Sequence, residues 1–164
     1  MFTTTARSLL TGLVIATATA APTLAEVMVR DVEVTTDLEA LQNPAAAKHY
    51  AHLSDDLEHA IIAALDGKMG ETGSKITIDI NEVELANSFQ SELGVADSHM
   101  DGDVGVTHDS DHSKFDAYTL SVSFADAGPF FAPGTDLSTI MSDSQEYYDA
   151  MIAAFADHVV QKLK

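Results

Sequence analysis

The chain has 164 residues, 26 of them acidic and only 8 basic, with a formal charge of −18 and no cysteine. So negative a surface repels nucleic acid and anionic lipid. The lack of cysteine excludes disulfides, thiol nucleophiles and a lipidated N-terminal cysteine, so the fold must rest on its apolar core, which this length permits.

Residues 1–25 have the layout of a secretory signal peptide. Arg7 supplies a positive first region, Leu9 to Ala18 an apolar one, and Pro22-Thr-Leu-Ala25 a small-residue end. The apolar run is too short and too rich in Thr and Ala to span a bilayer core of roughly 30 Å, which argues against a membrane anchor. Cleavage after Ala25 takes 25 residues from 164 and Arg7 from the 8 basic side chains. What remains is 139 residues, 7 basic against 26 acidic, with a charge of −19. The expectation is one domain, 26–164, periplasmic or secreted and without a membrane span.

Val27 to Thr35 reads as a first strand, with Val32 and Val34 alternating against Asp31 and Glu33. Asn43-Pro44 is an N-cap followed by proline at the first helical position. The spacing predicts one helix from Pro44 to about Leu65, with Tyr50, Leu53, Leu57, Ile61 and Ala64 as its buried stripe. Gly67 and Gly70 stop it. The segment from Gly67 to Lys75 lacks the Gly-Lys-Ser/Thr ending of a phosphate loop and runs from helix to strand, the reverse of what such a loop needs.

The stretch from Lys75 to Phe124 carries three alternating runs. Ile76, Ile78 and Ile80 come first, and the shift of parity to Val83 and Leu85 suggests a bulge near Asn81-Glu82. Met100, Gly102, Val104 and Val106 form the second run, and Tyr118, Leu120, Val122 and Phe124 the third. The short polar connection between the last two predicts an antiparallel hairpin. A capping-box pattern at Asp143 and Glu146 opens a last helix whose stripe is Tyr148, Met151, Ile152, Phe155 and Val159. The fold class is therefore α+β, in the order β-α-β-β-β-α, with a mostly antiparallel sheet and two helices on one face.

A signal peptide, a strand-helix unit, three meandering strands and a closing helix resemble the small α+β domains of bacterial envelope proteins. Among these are the amino-terminal domain of the Tol-system propeller protein and the curli-secretion-type lipoproteins. Gly102-Asp-Val-Gly-Val106 and Ala117-Tyr-Thr-Leu-Ser-Val-Ser-Phe124 resemble their hairpin strands, although this chain has no lipidation cysteine. The resemblance implies an accessory protein that binds another envelope protein, and it implies no catalytic residue.

Three groups could carry chemistry. In the run 97–116, His99, Asp101, Asp103, His108 and His112 offer imidazole and carboxylate ligands that suit zinc or another divalent cation. An EF-hand is excluded there, since His99 stands at its third position and His108 at its twelfth. The other reading of this run is a solvated hairpin whose charges blunt a sheet edge. On the first predicted helix His49, His52, Asp56 and His59 fall within roughly 80° of one another, a row that polar helix faces also produce without a metal. His158 reads as a flank residue on the last helix.

Phe130 and Phe131, held between Pro129 and Pro133, are either a partner contact or a plug for the sheet end and last helix. The pattern contains no Gly-x-Ser-x-Gly elbow, no His-Glu-x-x-His and no dinucleotide loop. These readings rank a non-catalytic binding protein of the cell envelope first, a divalent-metal-binding periplasmic protein second and a hydrolase third.

Overall fold

The computed structural model describes residues 27–41, 43–81 and 98–163. The segment read as an export signal lies outside the described residues, as do Val83, Leu85 and Asp97. Strand β1 spans Val29–Thr35, with Val29, Val32 and Val34 buried. The odd spacing from Val29 to Val32 is absorbed by a register shift between Val29 and Asp31, so both ends of the strand face one core.

Asn43 then caps a helix, its side-chain oxygen accepting from the N–H groups of Ala45 and Ala46 with Pro44 at the first position. The expected single helix is in fact two, α1 at Pro44–His49 and α2 at Leu53–Ala64. No glycine or proline marks the break. Instead Tyr50 leaves helical geometry while its ring is buried to 1% exposure beside that of Tyr148, 6.2 Å away, and the Leu53 N–H closes a tight turn onto the Tyr50 carbonyl. Leu53, Leu57 and Ile61 are fully buried as expected, but the stripe ends on Leu65 and Ala64 is exposed.

Strand β2 is Ser74–Ile80, with Ile76, Ile78 and Ile80 facing inward. Gly73 precedes it at φ +145, where a Cβ would lie 2.3 Å from the Met28 carbonyl oxygen, so the chain can pass β1 only without a side chain there. Strand β3 is His99–His108 and β4 is Asp116–Ser123. The sheet order is β1-β2-β3-β4. The last two pairings are antiparallel, and β1 with β2 is parallel because two helices intervene between them.

Strand β4 stops one residue short of the sequence reading. Ser123 and Asp126 form a reciprocal capping box that turns Phe124 into the first residue of a short helix, α3 (Phe124–Ala127). The last helix, α4 (Gln145–Lys162), starts one position later than expected. Its N-cap is Ser144, whose hydroxyl accepts from the Tyr147 N–H. The predicted stripe Tyr148, Met151, Ile152, Phe155 and Val159 is buried throughout.

Helix α2 packs on β1 and α4, and α4 packs on β3 and β4. Both cover the same face of the sheet and share one hydrophobic cluster with it. Among the described residues no helix is long and apolar enough to cross a membrane.

Candidate functional site

Strand alternation decides what the uncovered sheet face presents. On β3, Met100, Gly102, Val104 and Val106 are buried, which leaves His99, Asp101 and Asp103 on the other side. His99 Nε2 lies 3.8 Å from Asp101 Oδ2, while Asp101 Oδ1 is buried with no hydrogen-bond partner among the described residues. Asp103 stands opposite Asp79 of β2, a pairing of like charges that is unfavourable by itself. Each carboxylate has a threonine donor: the Thr119 hydroxyl donates to Asp103 at 2.6 Å and the Thr35 hydroxyl to Asp79 at 3.0 Å.

Beyond the His99–Asp101 pair, the proposed ligands do not come together. His99 and His108 close opposite ends of β3, nine residues apart and hence separated by about 30 Å in an extended strand. His108 Nδ1 accepts from the Ser110 N–H at 3.3 Å, and His112 sits in the hairpin turn with its ring 4.8 Å from Phe115. The turn's carboxylates are engaged locally. Asp109 pairs with Arg30 at 3.0 Å, and Asp111 accepts from the Ser113 N–H and hydroxyl, which hold its pKa below the usual carboxylate range. Among the described residues no three His, Asp or Glu side chains are grouped to hold a metal ion. Period two puts His99, Asp101 and Asp103 on one face and brings His99 within 3.8 Å of Asp101. Asp103 pairs with Thr119 instead, and the strand and hairpin take His108 and His112 away.

The helical row is divided by the break at Tyr50. His49 packs edge-on against Tyr50 and Tyr148, with ring centroids at 4.7 and 5.4 Å, and Asp56 accepts a 2.8 Å hydrogen bond from the Tyr148 hydroxyl. His52 and His59 are exposed. Burial lowers the His49 pKa, with Asp143 opposing. Burial raises that of Tyr148, and Asp56 adds to the rise. This is a helix-to-helix latch in which the acid and imidazole serve packing.

Phe131 is half-buried, its ring edge-on to Phe124 at 5.5 Å, whereas Phe130 remains 37% exposed at the end of a short turn, Gly128–Phe130. One aromatic of the pair is thus structural and the other faces outward.

Sequence reasoning did not single out the outer edge of β4. Among the described residues this strand pairs on one side only, with β3, in continuous register from His99 opposite Ser123 to Val106 opposite Asp116. Its eight residues contain no proline and a single charge, Asp116, so they lack the usual devices that blunt an edge. A groove of about 510 Å³ runs beside it, between Thr119, Leu120 and Ser121 on the strand and His158, Gln161 and Lys162 on α4. The alternation of β4 was plain in the sequence, but which neighbours a strand acquires is a property of topology. No protein family, curated protein or solved structure matches this chain.

Proposed function

We propose that this is an exported, non-catalytic binding protein of the bacterial cell envelope that takes up an extended segment of another envelope protein along β4. The observation that carries the reading is the regular, nearly uncharged edge strand beside a groove. An incoming strand would gain main-chain hydrogen bonds from the edge, and its alternate side chains would find the groove. Recognition of that kind needs no reactive side chain. Export is supported by the layout of residues 1–25, and the envelope setting by the resemblance of element order described above.

The test places a photocrosslinking residue at Thr119 or Ser121 and, as control, at Glu33 on the opposite edge strand. The crosslinked segment is then synthesised and added to the purified protein. Crosslinks concentrated at β4, together with slowed amide exchange in residues 116–123 on adding the peptide, are the expected result. Equal crosslinking from Glu33, or protection elsewhere, would refute edge addition. Export is checked separately by intact mass, which should begin at or near Glu26. A mass for all 164 residues in exported material would overturn that part alone.

A further inference from the structure

A second cavity, of about 250 Å³, opens where the start of β2, the hairpin turn and the end of α4 meet. Its most informative wall residue is Ser74. The inward series of β2 is Ser74, Ile76, Ile78 and Ile80, so a hydroxyl stands where a further aliphatic side chain would complete the core. Ser74 is 1% exposed and its Oγ has no hydrogen-bond partner among the described residues. A buried donor without an acceptor is unfavourable, and alanine or valine at that place would avoid the cost. Retaining serine there makes sense if something entering the cavity accepts from it.

The charges around the cavity point to what that is. Lys114 of the turn and Lys162 of α4 both line it, with Asp116 as the one carboxylate in its wall. Two of the chain's 8 basic side chains therefore meet at one cavity of a protein with 26 acids. A lysine at a helix C-terminus suits the helix dipole, which accounts for Lys162 alone. It does not account for Lys114 or for the hydroxyl. Of the remaining wall, Val27, Val106, Phe115 and Leu163 are apolar and Ser113 is polar, its hydroxyl already donating to Asp111. Phe115 is 49% exposed in a position where a ligand would cover it.

We infer that this cavity binds a small organic carboxylate with an apolar body, its head accepting from Ser74 and balanced by Lys114 and Lys162. The volume lies just below the roughly 300 Å³ at which small-molecule pockets begin, which suits a short acyl or single-ring acid and excludes a peptide. Lys162 also borders the groove beside β4, but binding at Ser74 does not depend on edge addition there.

The test uses hexanoate, with hexanol and hexylamine as neutral and cationic controls, added to the purified protein and followed by amide chemical shifts and melting temperature. Hexanoate should shift the resonances of Ser74, Val106 and Phe115 and raise the melting temperature, with hexanol at least tenfold weaker and hexylamine without effect. The double variant Lys114→Gln/Lys162→Gln should bind hexanoate at least tenfold more weakly. Ser74→Ala should weaken binding several-fold while the ligand-free protein melts no lower. The inference is overturned if hexanoate leaves these resonances unmoved at millimolar concentration, if hexanol matches it, or if the lysine variant binds unchanged.

Discussion

Gly102 offers the sharpest test of how the sheet and α4 fit together. It occupies a core-facing position on β3 between Met100 and Val104, opposite Ile80 on one side and Leu120 on the other. A Cβ there would lie 3.0 Å from Phe155 Cζ, 3.1 Å from Ile80 Cδ1 and 3.3 Å from the Asp79 carbonyl oxygen. Phe155 is fully buried and so has little room to retreat. Replacing a strand glycine by alanine would ordinarily gain about 0.5–1 kcal/mol, and these contacts should cancel most of the gain. Valine adds two methyl groups to a site that already lacks space for one, so Gly102→Val should cost about 1–3 kcal/mol.

The control is Gly105, on the outward face of the same strand. Its nearest obstacle is the Thr77 hydroxyl, the end of a side chain that can rotate away, so Gly105→Val should cost clearly less. Shortening the ring in Gly102→Val/Phe155→Leu should relieve the crowding, leaving the double variant more stable than the sum of the single effects by about 0.5–3 kcal/mol. Urea unfolding followed by circular dichroism, with the slope checked for constancy, gives each value. A neutral Gly102→Val, or additivity in the double variant, would mean that Phe155 does not rest on this glycine, and the docking of α4 would have to be redrawn.

Leu120→Ala should cost about 2–5 kcal/mol, because Leu120 is buried under α4, while exposed Ser121→Ala should cost little; equal losses would overturn the assigned strand faces. Ser144→Ala should cost about 0.5–2 kcal/mol in the same unfolding assay, and Asp143→Ala much less, since Ser144 makes the capping bond; the reverse order would restore the cap to Asp143. His49 has a lowered pKa in the folded state, from burial offset in part by Asp143, so the unfolded chain binds its proton more readily. The sign follows: stability contributed by neutral His49 is present above about pH 6.5 and is lost as pH falls below it. The wild type should therefore lose more stability than His49→Gln between neutral and mildly acidic pH, and parallel curves would show that His49 is not desolvated.

Much of the fold was legible because its elements differ in hydrophobic period. The isoleucines at 76, 78 and 80 and the stripe from Tyr148 to Val159 bury the residues their spacing implied. The errors fall where two local signals compete within a residue or two. The alternation Tyr118, Leu120, Val122 continues to Phe124, but Ser123 and Asp126 close a capping box and the backbone turns helical instead. Asp143 and Ser144 are both good N-caps, and it is the Ser144 hydroxyl that accepts from the Tyr147 N–H. The break after His49 has no compositional mark because it is made by a tertiary contact, the burial of Tyr50 beside Tyr148.

The candidate metal ligands show the same limit in another form. A carboxylate written in sequence carries no record of whether its oxygens are already taken. Here many are: Asp37, Asp111 and Asp136 each accept the N–H two residues ahead, and Asp126 accepts from the Ser123 N–H and hydroxyl. These bonds build turns in a chain with only 4 prolines and no disulfide, so part of the acidity supplies local structure. Asp79 and Asp103, facing one another across β2 and β3, are held by threonines of the two edge strands. An acid-rich run such as 97–116 therefore resembles a ligand set in one dimension, while among its described residues Asp111 caps a turn, Asp103 is bonded across the strands and Asp109 pairs with Arg30. The hydroxyl of Ser74, like Asp101 Oδ1, is buried with no hydrogen-bond partner among the described residues, but it differs in lining a cavity.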